Sequence, residues 1–302
     1  MSHGADSVKS ILYALGANFA IAVAKLMAAM VTGSGSMMAE SIHSLADCGN
    51  QGLLLFGLKH AKKPPTPEHP LGFGKSIYFW SFIVALMLFS MGGLFSIYEG
   101  VHKLRAPEPM TYPWVAVAVL IFSVIAEGAS LKGCIAEVNK ERAGRSFYRW
   151  FRETRQSELL VIFGEDLAAL LGLSLALVAV LAAIITGNPV YDAWGSIAIG
   201  GLLVVIAFFV GIEVKALLIG QGVEPTLKVK MELFLLEQPE VKRLFNLVSL
   251  QMGQDAMVAV KAEMAPQPSD RALVEAINAV EARFKGQFPM VVWLFFEPDI
   301  KD

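Results

Sequence analysis

Six apolar runs occupy the first 218 residues, near 8–31, 36–59, 76–102, 112–137, 157–186 and 190–218. Each is long enough, as a helix rising about 1.5 Å per residue, to cross a hydrocarbon core of about 30 Å. The connections TGSGS (32–36) and TGNPVY (186–191) are short, so runs one and two, and runs five and six, are expected as helical hairpins. A longer connection carrying Pro107, Pro109 and Pro113 joins the third run to the fourth. From about residue 223 the pattern changes. Pro225 lies near the start of a helical segment, and two strand-like runs then flank a Gly-Gln-Asp turn at 253–255. A 3.6-residue period follows, with Ser269 or Asp270 as its cap, and PMVVWLFFEPD closes as a strand. The fold class expected is a mainly α membrane protein: six transmembrane helices over 1–218, then a cytoplasmic α+β domain (α-β-β-α-β, ferredoxin-like) over 219–302.

Composition supports the membrane reading. Hydrophobic residues make up 55% of the 302 residues and charged residues only 17%, the latter gathered between the apolar runs. Mean hydropathy is +0.55, which excludes an ordinary soluble domain. Net charge, at −2, excludes nothing, but its distribution orients the chain. The connection after the second run carries Lys59, Lys62, Lys63 and Lys75; that after the fourth carries Lys140, Arg142, Arg145, Arg149, Arg152 and Arg155. The alternate side holds Lys103 and Arg105, so both termini and the two basic connections are expected in the cytoplasm. The stretch 140–156 reads as this topogenic signal, with an amphipathic helix at anionic headgroups as a secondary possibility. Its aromatics, Phe147, Tyr148, Trp150 and Phe151, suit an interfacial belt better than nucleic-acid binding. Cys48 and Cys134 form no CxxC and read as small buried hydrophobes. The first ten residues lack the features of a cleaved leader.

Candidate chemistry lies inside the apolar runs. His43 and Asp47, four apart, fall on one face of the second helix. A charged group at mid-membrane costs about 2.5–3.5 kcal/mol on insertion scales and normally faces a cavity, a partner or an ion. Imidazole and carboxylate together suit a divalent transition ion. A second acidic pair, Glu165 and Asp166, sits in the fifth run, where two carboxylates repel unless a cation lies between them and another helix. Capping or interhelical hydrogen bonding accounts for one buried acid more easily than for four such groups on two helices. Glu40 either extends the His43 face or lies near the outer mouth. Glu99 reads as solvated near a helix end, Glu127 as an interior polar contact, and His60 and His102 as interfacial.

GSGSMMAESIHSLADCGNQ followed by EHPLGFGK resembles the cation diffusion facilitator family of divalent-metal/proton antiporters. There the second span reads roughly G-S-x-A-x-x-A-[DE]-[SA]-x-H-S-x-x-D. The whole organisation is similar too. The resemblance implies a central zinc site built from an [HD]xxxD pair in span two and another in span five. His43 and Asp47 match the first pair. In span five the aspartate falls on Asp166, but the position four before it is Ile162, which offers no ligand; Glu165, on the border of the same face, is the candidate replacement. GEDLAALLG looks like the mitochondrial-type zinc-transporter branch, where a Glu-Asp pair stands here. The ancillary loop site of some members keeps only His69, with Thr66 and Phe73 at the other positions. Residues 223–302 contain no His or Cys, so packing around Trp293, Phe295 and Phe296 is expected in place of metal-stapled contacts.

The expected function is export of a divalent transition-metal ion, Zn2+ first and Mn2+, Fe2+, Co2+ or Ni2+ as alternatives, in exchange for protons. The metal residues are His43, Asp47, Asp166 and Glu165; the remaining partners are protons, the lipid bilayer and, by resemblance, a second copy in a homodimer. Neither an organic cofactor, an enzymatic activity nor a nucleic acid is expected, and the setting is a bacterial inner membrane. The alternative is a non-transporting scaffold or metal sensor of the same fold, which the loss of a ligand at Ile162 favours. An intramembrane metalloenzyme lacks any HExxH or nucleophile constellation. Gly92, Gly93, Gly195, Gly200 and Gly201 are expected to permit close helix contact.

Overall fold

The computed structural model describes the backbone of residues 3–301 and the side chains of residues 16 and 18–301. In chain order the helices of the first part are α1 (His3–Thr32), α2 (Gly35–Ala61), α3 (Ser76–Met87), α4 (Phe95–Arg105), α5 (Pro113–Arg142), α6 (Phe147–Glu153), α7 (Ser157–Thr186) and α8 (Val190–Ile219). A π-helical turn, Leu88–Leu94, joins α3 to α4 without a break, and α6 is a short helix of two turns before α7. The long helices thus follow the six apolar runs. Among the described residues, four 30-residue stretches, Ser76–Arg105, Pro113–Arg142, Ser157–Thr186 and Val190–Ile219, are long and apolar enough to cross a membrane. α2 is 27 residues long, but its inner polar face dilutes its apolarity.

The chain forms two compact units. The helical unit holds the chain as far as Gly57, then Trp80–Arg145 and Glu158–Glu213. Its polarity is reversed relative to a soluble bundle. Phe122, Ile125, Val178 and Phe208 are exposed, while Lys25, Glu40, His43, Asn50 and Glu165 are buried. That arrangement suits a lipid surround, where outward groups need only be apolar and inward polar groups satisfy one another. Small residues let the helices approach: Ala28, Ala29, Ala116, Ala168 and Ala176 share the core with Met37, Leu88, Leu120, Ile199 and Leu203.

Two local devices fix the helices that carry the polar groups. At the start of α2, buried Asp192 of α8 accepts hydrogen bonds from Ser34 Oγ at 2.7 Å, from the Ser36 amide and hydroxyl, and from the Gly35 amide. A carboxylate there answers both the unpaired amides and the positive end of the helix dipole. The second device is the contact between α8 and the π turn with α4. A Cβ on Gly93 would stand 2.7 Å from Val204 Cγ2, and one on Gly200 would stand 2.6 Å from the Gly93 carbonyl. Gly201 has open space, so it takes no part in this contact. Ser96 Oγ donates to the Gly92 carbonyl at 2.6 Å, which helps to satisfy backbone at the π turn.

The second unit comprises Leu58–Phe79, Ser146–Ser157 and the chain from Val214 onward. It contains α9 (Pro225–Leu236), β1 (Val241–Met252), β2 (Asp255–Met264), α10 (Asp270–Gln287) and β3 (Val291–Pro298), the predicted α-β-β-α-β order. β2 is central, antiparallel to β1 and parallel to β3. The hairpin turns at Gly253, whose φ of 75° lies in the left-handed region that glycine enters freely. Alternate residues of β2, Ala256, Val258, Val260 and Ala262, are buried in a core with Leu235, Leu247, Val280, Phe284 and Val291. Ser269 caps α10, accepting from the Ala272 amide at 3.2 Å. Phe296 packs against this core, Trp293 is half-buried and Phe295 is exposed.

Two connections belong to this unit with the sheet. The Tyr78 hydroxyl, on a fully buried side chain, accepts from the Gly253 amide at 3.0 Å. Arg155 Nε donates to the Gly222 carbonyl at 2.7 Å. Trp150 is fully buried, so of the aromatics read as an interfacial belt this one is a packing residue; Tyr148 is exposed. Amphipathic composition alone does not distinguish a helix that faces lipid headgroups from one whose indole is covered by its own chain.

Candidate metal site

The polar face of α2 is built by spacing. Glu40, His43, Asp47 and Asn50 recur every three or four residues and so share one side of the helix. His43 is fully buried, its Nδ1 lies 3.5 Å from Asp47 Oδ1, and Gly92 of the π turn packs beside it. Both imidazole nitrogens of His43 and Oδ1 of Asp47 are buried without a hydrogen-bond partner among the described residues. On α7, Glu165 Oε1 accepts from Asn50 Nδ2 at 2.6 Å, and Asp166 Oδ2 accepts from Ser130 Oγ of α5 at 3.3 Å.

Asp47, Ser130, Glu165 and Asp166 meet at a chamber of about 40 Å³, enough for an ion or a few waters. Its lining includes Asp47, Glu127, Glu165 and Asp166, with Ser44, Ser130 and Ile162. Three of the four predicted metal residues therefore share one cavity. The fourth, His43, is adjacent to Asp47 but outside the lining. Ile162 does face the chamber, so Glu165 stands beside the position where the family pattern expects a ligand. Among the described residues, no three His, Cys, Asp or Glu side chains converge closely enough to hold one ion as they stand.

Four residues that the spacing argument passed over belong to the same network. Lys25 of α1, Asn50 and Ser44 of α2, and Ser130 of α5 each contact an acid or another member. Glu127, read as an interior polar contact, is a chamber-lining acid 4.0 Å from Lys25. Glu40 is fully buried and not at an outer mouth, 3.9 Å from Lys25. Its carboxylate lies against Gly172 of α7, where a Cβ would displace it. Lys25, deep inside an apolar run, signals that a partner exists, because such a cation requires one, but not which residue supplies it. In the loop, Thr66 and His69 pair through their backbones, and the Phe73 ring lies between His60 and His69, 5.2 and 4.4 Å from their ring centres.

Long apolar helices whose outward side chains are apolar and whose buried positions hold polar groups are the build of an integral membrane protein. Residues 11–219 match the cation efflux transmembrane domain, and the chain belongs to that family of membrane transporters, which are not enzymes. It is 37% identical over 243 residues to the "Proton-coupled zinc antiporter SLC30A9, mitochondrial" of Mus musculus, covering 80% of this chain and 42% of that protein. It is 32% identical over 249 residues to Metal tolerance protein C4 of Arabidopsis thaliana, covering 82% and 54%. Magnetosome protein MamB of Magnetospirillum gryphiswaldense is 24% identical over 302 residues, covering 95% and 93%. The chain thus spans about half or less of the first two relatives.

Proposed function

We propose that this protein is a secondary active transporter that exports a divalent transition-metal cation, Zn2+ first, in exchange for protons. The observation that carries the reading is the chamber inside the helical unit, lined by Asp47, Glu165 and Asp166 from two helices with His43 beside Asp47. The name of the mouse relative, a proton-coupled zinc antiporter at 37% identity, supports the choice of cargo and counter-ion. His43, Asp47, Asp166 and Glu165 are the proposed ligands, with Glu165 in place of the ligand that Ile162 does not offer.

The chemistry couples the two fluxes directly. Imidazole and carboxylate bind metal only when deprotonated, so an ion and protons compete for the same groups. Metal enters from the side of the basic connections, protons displace it on the other side, and the protonated site returns. Alternating access requires movement of α2 and α7 relative to the remaining helices, which also brings the ligands into a closed shell. An oxygen-rich set with one nitrogen ligand admits Mn2+ as a competitor. Both termini lie in the cytoplasm or the equivalent compartment, by the positive-inside bias. The α+β unit, residues 219–302 by the sequence boundary, serves regulation and homodimer contacts.

The test is metal-dependent proton flux in proteoliposomes containing the full chain. Native flux with Zn2+ that vanishes in Asp47→Ala is expected, and its loss in Glu165→Ala assigns Glu165 as the replacement ligand. Absence of flux with Zn2+, Mn2+, Fe2+, Co2+ and Ni2+ would reject transport in favour of a scaffold or metal sensor.

A further inference from the structure

Lys25 is fully buried on α1, although a lysine is among the costliest residues to place there. Its ammonium donates to Ser44 Oγ at 2.7 Å and stands 3.9 Å from Glu40 Oε2 and 4.0 Å from Glu127 Oε1. Ser44 and Glu127 line the chamber and Lys25 does not, so the cation sits just behind the wall. Ile21, one helical turn before it, reaches the lining from the same helix. A neutral donor at position 25 would satisfy Ser44 without the cost of a buried charge. What a lysine adds is an ammonium group close to the cargo, 4.0 Å from the chamber-lining Glu127.

Four carboxylates line the chamber: Asp47, Glu127, Glu165 and Asp166. A divalent ion among so many negative groups in a poorly screened interior is held strongly, and strong holding slows release. A cation beside Glu127 offsets part of that field. We infer that Lys25 is a built-in counter-cation that sets how tightly the chamber holds its cargo, trading affinity for release. This rests on the transport reading above. Lys25 acts through the charge of the chamber and through Glu127, so it is a positioning and charge-setting residue, not a ligand.

The experiment measures Zn2+ affinity by calorimetry on the full chain in detergent, alongside Zn2+-driven proton flux in proteoliposomes. Lys25→Gln is expected to bind Zn2+ about tenfold more tightly, with a lower KM and a lower maximal rate. Lys25→Arg, which keeps the charge, is expected to restore native values. A lysine that served only the fold would give unchanged or weaker binding when lost, and that result in a folded variant overturns the inference. The charge-balanced pair decides the matter if Lys25→Gln does not fold. Lys25→Gln/Glu127→Gln is expected to bind Zn2+ more tightly than Glu127→Gln alone, by less than the tenfold of the single change because part of the coupling runs through Glu127, and equal affinities overturn the inference. Native flux with Lys25 variants indistinguishable from native rejects this role alone, whereas a native chain without flux or binding rejects the transport reading and this role with it.

Discussion

Asn50 shows how one neutral residue determines where an acid points. Its amide donates to Glu165 Oε1 at 2.6 Å from a fully buried position, tying α2 to α7 beside the chamber. Asn50→Leu keeps the branching at Cγ but leaves the carboxylate without that donor, at a cost of about 1–3 kcal/mol. The expected outcome is a lower unfolding temperature in detergent and impaired transport; an unchanged melting temperature would show that the pair contributes nothing to stability. His43 and Asp47 were legible because their four-residue spacing is a local property of any helix. Asn50 and Lys25 were not, since their partners lie on other helices. The pairing of Lys25 with Glu40 and Glu127 depends on how α1, α2 and α5 pack, which spacing along one helix does not encode.

The extents of the helices were legible because hydrophobic length is imposed by the bilayer, independent of tertiary contacts. The π turn at Leu88–Leu94 was not: its sequence, LFSMGGL, is as apolar as its surroundings, and Gly93 within it packs closely on α8. Nor does sequence separate the glycines that touch from those that do not. Gly200 has a carbonyl 2.6 Å from its would-be Cβ, while its neighbour Gly201 has open space. Gly200→Ala is therefore expected to destabilise the chain by about 1–3 kcal/mol through overpacking. Gly201→Ala is expected to be neutral or to stabilise by up to about 1 kcal/mol through helix propensity. Thermal unfolding of the two variants in the same detergent separates the effects, and equal shifts would remove the packing role of Gly200.

At the scale of the whole molecule, the chain passes between its two units five times, at 57/58, 79/80, 145/146, 157/158 and 213/214. A single sequence boundary near 218 captures the change in composition but not the two earlier segments that pack with the sheet. Residues 58–79 and 146–157 read as basic loops because of their lysines and arginines; within the unit the Tyr78 hydroxyl accepts from the Gly253 amide, Arg155 donates to the Gly222 carbonyl, and Trp150 is fully buried. Removing residues 220–302 therefore takes away Gly222 and Gly253, the backbone partners of Arg155 and Tyr78. Local opening follows where such contacts are lost. The truncated chain is expected to be cut by trypsin faster at Lys62, Lys63, Lys75, Arg149, Arg152 and Arg155 than the full chain, with cleavage sites read by mass spectrometry. Equal protection of those bonds would mean that the helices alone order both connections, and the α+β segment would then be dispensable for the structure of the loops that flank it.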